Sequence, residues 1–272
     1  LAIVPMYGSF KGHQTALQLG NPYGCAQAFG CPVVFDFRRA DMLTGGQGAP
    51  LVPAADSLMF HHRLNDGAIA IQNIGGIGNV TFLASGSPPI GFDTGPGNMV
   101  LDQVMFARTG LRFDDGGELA ASGNVLPDLL DALQEWHIPA GPPVSYGREQ
   151  FGMPFVETLL AGRDDIRTAD LLATISEWTA ITIATAMHSL PSAPTCVYVS
   201  GGGAHNRDLR SRFERIAGIE TKPLDDLGIP GDAREAVAFA VLADARLRGI
   251  TFDLRYVTGS QVPQGLGAIT LP

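Results

Sequence analysis

Apolar positions along the chain fall into two kinds of run. Short blocks rich in β-branched and aromatic residues, VVFDF at 33–37, AIAIQNI at 68–74, VTFLA at 80–84 and TCVYVS at 195–200, have the length and content of buried strands. Longer stretches space their apolar residues as helices do, at 51–63, 99–109, 207–217 and 232–248. The longest covers 155–190 and is interrupted by a polar segment at 163–168. Asn206 stands where a cap would open the 207–217 helix, and Pro230 with Gly231 precedes the last one. The segment RRADMLTGGQGAP, 38–50, reads as a loop. Strand pairs followed by glycine turns and helices predict an α/β architecture rather than a bundle or a sandwich. No short-period repeat is present. The turn-forming step at 65–67 is the expected boundary, dividing residues 1–66 from 67–272.

With 272 residues, the chain has room for one large domain or two modest ones. A formal charge of -9 argues against a nucleic-acid groove, which needs clustered Lys and Arg, and turns attention to a small-molecule partner. Cys25, Cys31 and Cys196 form an odd, sparse set without zinc-ligand spacing, so no structural metal is expected and a reducing, cytoplasmic setting fits. The most apolar stretch, 171–190, is broken by Ser176 and Glu177, and no membrane span is expected. The chain opens on Leu1 without the basic start and apolar core of a signal peptide, and reads as beginning mid-protein.

Candidate chemistry lies in the glycine-rich segments. GFDTGPGN, 91–98, seats Asp93 in a turn, where it either caps a tight hairpin or faces a substrate beside backbone amides that glycine leaves bare. IGGIGN, 74–79, is a hairpin turn or a phosphate wrap. SGGGAHN, 200–206, follows a strand and precedes a helix, an arrangement suited to an anion or a nucleotide base, although it lacks the GxGxxG and Walker patterns. GGQGAP, 45–50, is a plain connector or one wall of a sugar pocket, with Gln47 inside it and Arg38, Arg39 and Asp41 just upstream. Glu235 suits the positive end of its helix and equally a catalytic cleft. His61, His62 and His205 show no metal-ligand pattern and read as surface or capping residues.

Taken in order, LQLGNP (17–22), VVFDFRRAD with GGQGAPLVP (33–53), NIGGIGNVTFL (73–83), GFDTGPGNMVLD (91–102), YGREQF (146–151), VSGGGAHN (199–206), DLGIPGDAREAVAFAVLA (226–243), VTG (257–259) and LGAI (266–269) span nearly the whole chain. In this series the sequence resembles the anhydro-N-acetylmuramic acid kinases, a branch of the actin, sugar kinase and Hsp70 ATPase superfamily. The resemblance implies a two-lobed, ribonuclease-H-like α/β fold, here with most of the first lobe missing. It implies an ATP-dependent kinase that converts 1,6-anhydro-N-acetylmuramic acid and water to N-acetylmuramic acid 6-phosphate in peptidoglycan recycling, with Mg²⁺ accompanying ATP. Asp93 would be the base, with Glu235 as the second acidic residue of the cleft. Arg38, Asp41, Gln47, Gly48 and Asn98 would bind the sugar. Asn73, Gly75, Gly76 and Asn79 would face the nucleotide phosphates, and Gly201, Gly202, Gly203 and Asn206 would lie near the adenosine.

Two departures accompany the match. The family's opening phosphate hairpin, of the form GTSLDG, has no counterpart here, and of its SHGQT segment only His13, Gln14 and Thr15 are retained. Loss of preorganised donors costs phosphoryl transfer heavily, about 10²–10³ in rate for a single one. The resemblance therefore leaves a kinase, a non-catalytic sugar-binding remnant of one, and another sugar kinase of the superfamily as the readings to separate. The combined DFRRAD, GGQGAP and GFDTGPGN segments weigh against the last. A homodimer is the default expectation for a soluble oligomer.

Overall fold

A computed structural model describes residues 6–10, 13–136, 138, 141–142, 146 and 150–272. Of the family-like segments, Gly147, Arg148 and Glu149 of YGREQF lie outside the described residues. The elements in chain order are β1 (Met6–Phe10), β2 (His13–Leu17), α1 (Pro22–Phe29), β3 (Val33–Phe35), α2 (Phe37–Leu43), α3 (Val52–Met59), β4 (Ile69–Ile74), β5 (Ile77–Leu83) and β6 (Ile90–Pro96). They continue with α4 (Asn98–Thr109), α5 (Glu118–Ala121), α6 (Pro127–Gln134), α7 (Met153–Leu160), α8 (Thr168–His188), β7 (Cys196–Ser200), α9 (Arg207–Ala217), β8 (Thr221–Pro223), α10 (Arg234–Leu247) and β9 (Ala268–Thr270). Among the described residues no helix is long and apolar enough to cross a membrane.

Contacts between residues gather the chain into two compact units. One contains the described residues up to Asn65 together with Leu83–Gly91 and Ala233–Pro272; the other contains Asp66–Phe82 and Phe92–Asp232. The units thus differ from a single division at residue 66, because the last forty residues return to the first. The reason is packing. Ala54 and Ala55 of α3 and Ala238, Leu242 and Ala245 of α10 are buried in one cluster with Phe252, Leu254, Val257 and Leu266. Alanines on both helices let their backbones approach closely. The fully buried Asp56 of α3 pairs with Arg234 at the start of α10, so the contact is also ionic. In the same unit β3 pairs antiparallel with β9, and the Phe37 and Phe239 rings meet edge to face at 5.2 Å.

The second unit is organised by a five-stranded sheet of order β6-β5-β4-β7-β8. Two residues join β4 to β5 and six join β5 to β6, connections too short for a parallel crossover. After the helical excursion α4–α8, β7 returns parallel to β4, with Ile69 opposite Cys196 and Asn73 opposite Ser200, and β8 adds parallel to β7. Helix α8 is buried at every position from Leu171 to Ala180. Its Trp178 stacks on Phe155 of α7 at 5.9 Å, within a cluster that includes Val100, Leu101 and Val104 of α4. A mostly buried network joins α8 to α9: Glu177 accepts from Arg212 and Arg215, and Asp208 accepts from Arg212 and Ser176. Helix α9 starts where expected, with Asn206 Oδ1 accepting the Leu209 amide at 2.9 Å, and stops at Gly218 in the left-handed conformation.

Two expectations are corrected. Residues 38–50 are not a continuous loop, since α2 occupies Phe37–Leu43 and only the glycine stretch after it is irregular. Asp36, at φ 54°, turns the chain out of β3 into this helix and pairs with Arg39 at 3.1 Å. Likewise GFDTGPGN is not a turn: its first six residues belong to β6, beside β5 in the sheet. Glycine serves there by lack of bulk, because a Cβ on Gly91 would lie 2.7 Å from Pro53 Cγ, and the facing β5 does the same, where a Cβ on Gly78 would lie 2.5 Å from Thr94 Oγ1.

Candidate functional site

In the second unit, three chain reversals meet at the carboxyl ends of β4, β6 and β7. The Gly75–Gly76 turn caps α4: Asn98 N–H donates to the Gly75 carbonyl at 2.7 Å, and Gly97 N–H and Met99 N–H donate to the Gly76 carbonyl at 2.9 and 3.2 Å. Asn98 also donates through Nδ2 to the Ile74 carbonyl at 3.2 Å. From the third reversal, Ser200 Oγ reaches Asn73 Oδ1 at 3.4 Å, and Gly201 enters a 3-10 turn over Gly202–His205. Side chains have no room between these segments. A Cβ would lie 2.2 Å from the Gly75 oxygen if placed on Gly97, 2.8 Å from the Ile74 oxygen on Gly201, and 2.3 Å from Ile74 Cγ2 on Gly203. The outcome is an edge of bare backbone on which Gly76 and Gly202 are exposed.

Asn73, Gly75, Gly76, Asn98, Gly201, Gly202, Gly203 and Asn206 are therefore brought together. Asn79 stands apart, inside β5 and two residues beyond its start. Asp93 lies on β6, half-buried, beside Thr94, whose hydroxyl accepts from the buried Gln72 at 3.0 Å. One Asp93 oxygen, Oδ2, accepts the Tyr146 amide at 2.7 Å. Burial, aided by the Asp93 charge, pushes the Tyr146 phenol up to about 12.

Beside this edge opens a cavity of about 370 Å³ whose residues 113–116 no sequence motif announces. Leu101 and Phe113 give it apolar walls; Asn98, Gly202, His205 and Asn206 connect it to the glycine edge; Asp102, Asp114 and Asp115 make it acidic. Asp114 is engaged by the Leu119 and Ala120 amides at 2.9 and 2.8 Å. Among the described residues, Asp102 has no hydrogen bond or ion pair, and burial raises its carboxyl from the usual 3.8 to about 6. Its place one turn into α4 is the signal that helical periodicity could have offered, since Asp102 follows Asn98 by four residues. Among the described residues no group of three or more His, Cys, Asp or Glu could hold a metal ion.

The first unit holds the remaining predicted residues. Gln47 is exposed, and its amide donates to the Thr258 carbonyl at 2.9 Å. Arg38 is half-buried and donates to the Gly48 carbonyl at 2.8 Å. Asp41 differs from the expectation of a sugar-contacting group. It is fully buried, with its oxygens engaged by Gly48 N–H at 2.7 Å and by the Thr258 hydroxyl at 2.6 Å. Glu235 is exposed in the first turn of α10, beside the buried Arg234.

A sheet in which the third, second, first, fourth and fifth strands stand in that order, with helices following the third and fourth, defines the second unit as a ribonuclease-H-like α/β domain of the kind found in actin-like ATPases and sugar kinases. Sequence comparison makes the assignment narrower. The profile described as anhydro-N-acetylmuramic acid kinase matches residues 6–272, and the chain belongs to that family of carbohydrate kinases. Relatives bearing this name include one from Synechococcus elongatus, 41% identical over 93% of this chain and 70% of its own length. Another, from Bordetella pertussis, is 42% identical over 93% of this chain and 67% of its own. Among solved structures, the activator of the 2-hydroxyisocaproyl-CoA dehydratase from Clostridium difficile with bound ADPNP superposes with a TM-score of 0.46 at 14% identity, covering 73% of this chain and 66% of that one.

Proposed function

We propose that the chain acts on 1,6-anhydro-N-acetylmuramic acid with ATP and water, yielding N-acetylmuramic acid 6-phosphate and ADP in peptidoglycan recycling, with Asp93 as the base. The observation that carries this reading is the setting of Asp93, a half-buried carboxylate beside the glycine edge with one oxygen fixed by the Tyr146 amide. A carboxylate oriented in this way is suited to taking the proton of a water as that water attacks the anomeric carbon. The bond from that carbon to the 6-oxygen breaks, and the 6-oxygen takes the γ-phosphoryl group.

The nucleotide fits the exposed Gly76 and Gly202, where nothing larger than a hydrogen stands between the backbone and an incoming phosphate. The adjoining cavity, with Leu101 and Phe113 on its walls, suits a nucleoside. Mg²⁺ bound with ATP supplies charge neutralisation on the phosphates, in keeping with an ion that takes few protein ligands. Gln47 and Gly48 on the first-unit loop, with Arg38 behind them, form the sugar-facing group, and Glu235 is the exposed carboxylate of the same unit. The three free cysteines suit a cytoplasmic setting.

The test is a coupled ADP-release assay with ATP, Mg²⁺ and the anhydro sugar, run on the chain and on Asp93→Asn. ADP release that requires the sugar, and that falls by about 10²–10⁴ in the variant while its circular dichroism is kept, is the expected result. A variant that turns over near the wild-type rate refutes the role of Asp93.

A further inference from the structure

Asp41 sits at the centre of a closely bonded group of first-unit residues. Its two carboxylate oxygens accept from Gly48 N–H at 2.7 Å and the Thr258 hydroxyl at 2.6 Å. Around it, the Gln47 amide donates to the Thr258 carbonyl at 2.9 Å, and the Gln261 amide donates to the Thr44 carbonyl at 3.0 Å. The Thr44 and Ser260 hydroxyls meet at 2.7 Å. Thr258 and Ser260 are each 1% exposed, so their side chains are shielded from water.

The loop is shaped to this carboxylate. A Cβ on Gly46 would lie 2.1 Å from Asp41 Oδ2, so the glycine makes room for the acid. Gly48 takes φ +73°, a conformation that L residues rarely adopt, and there its amide points at the same oxygen. Burial pushes the Asp41 carboxyl up, against the bonds from Thr258 and Gly48 that work to lower it. A fully buried carboxyl with both oxygens engaged, one by the loop amide of Gly48 and the other by the Thr258 hydroxyl, has an organising role.

We propose that Asp41 is a positioning residue for sugar recognition: from beneath the loop, it fixes the backbone of residues 46–48 and thereby the exposed Gln47 side chain, without touching the sugar. The inference rests on the reading that this loop faces the sugar. Its chemistry is that of a buried carboxyl acting as a template for a loop amide and a hydroxyl, so that Gln47 meets a hydroxylated, amide-bearing ligand already ordered.

The experiment is isothermal titration of 1,6-anhydro-N-acetylmuramic acid into the wild type, Gln47→Ala, Asp41→Asn and Thr258→Val, with amide hydrogen exchange followed over 44–50. Asparagine keeps the size of the acid but sets an N–H group against one of the two donors. Asp41→Asn is expected to weaken sugar binding about tenfold or more, as ångström-scale misplacement does, to speed exchange in the loop, and to leave ATP binding unchanged. Thr258→Val removes one arm and is expected to act in the same direction more weakly, and it carries the test should Asp41→Asn fail to fold. Faster loop exchange with unchanged sugar affinity in these variants overturns the inference. Gln47→Ala binding the sugar like the wild type instead overturns the assignment of the loop to the sugar, a separate failure.

Discussion

Asp102 is the acid whose setting is hardest to justify by stability. It lines the 370 Å³ cavity on α4, has no partner among the described residues, and is raised by burial from the usual 3.8 to about 6. Replacing it with Asn keeps the shape and removes the charge. A rise of roughly two pH units corresponds to ~3 kcal/mol at 1.36 kcal/mol per unit. Because the side chain opens on a water-accessible cavity, solvent screening reduces the net value to ~1–1.5 kcal/mol.

The sign follows from linkage. The folded-state value lies above the unfolded one, so Asp102 favours folding in its protonated form, and that contribution is lost as pH rises from about 4 through 6. Asp102→Asn is therefore expected to exceed the wild type in melting temperature by ~2–6 °C at pH 7.5, with the gap closing at pH 4. Thermal melts of both proteins at the two pH values decide it. A gap of the same size at both pH values, or none at pH 7.5, would refute the reasoning. A cost borne in a cavity next to the glycine edge also implies a use, and the same substitution should weaken ATP binding by roughly tenfold, the scale of a hydrogen bond to a charged group. Titration of ATP into the variant checks this second half.

Two further outcomes follow from the second unit. Burial works to raise Glu177, but its bonds to Arg215 and Arg212 outweigh that and hold the carboxyl below its usual 4.5, so its contribution is present above that value and lost as pH falls beneath it. The urea midpoint should drop between pH 5 and pH 3, and Glu177→Gln should flatten that drop while costing about 1–3 kcal/mol at pH 7; an unchanged slope counts against the network. In Gly97→Ala the new methyl would meet the Gly75 carbonyl oxygen, which belongs to backbone and cannot rotate away. A loss of about 1–3 kcal/mol in chemical denaturation and weakened ATP binding are expected, and wild-type behaviour in both would disprove the close approach.

How far the sequence could be read depends on where each signal lies. Strands β4 and β7 were legible because they are buried β-branched runs, and the start of α9 because capping by Asn206 needs only the local chain. Helix α2 was not. Its residues FRRADML show little apolar spacing, and the helix depends on the left-handed Asp36 and on burial of Asp41 and Met42, which tertiary structure supplies. Strand β6 was obscured by its glycines, which break isolated strands but here make room for neighbours, since a Cβ on Gly91 would lie 2.7 Å from Pro53 Cγ. The return of residues 233–272 to the first unit rests on alanines of α3 and α10, separated by well over a hundred residues. For the site, the glycine segments converge on one edge, whereas Asp41, which the resemblance places at the sugar, is fully buried, because a motif does not report burial.

On the reading that the glycine edge holds phosphates, its residues are constrained for two distinct reasons at once. Phosphoryl transfer asks a protein for positioned donors more than for reactive side chains, and backbone amides on glycine meet that need at the closest range. Yet Gly97, Gly201 and Gly203 are held by neighbours within the fold: each has carbonyl oxygen or side-chain carbon of the β4 end where its own Cβ would go. Gly76 and Gly202, by contrast, are exposed, and a Cβ on either would come no nearer than 3.2 Å to any neighbour, Met99 Cε or Asn98 Nδ2 at the end of a side chain. Alanine at the inner three should therefore damage stability and binding together, whereas alanine at Gly76 or Gly202 should leave folding near wild type and act on the nucleotide alone. That separation, measured by denaturation and ATP titration on the same five variants, distinguishes glycine kept for packing from glycine kept for a ligand. If the outer two variants bind ATP normally, the edge is an architectural joint and the phosphates must be held elsewhere.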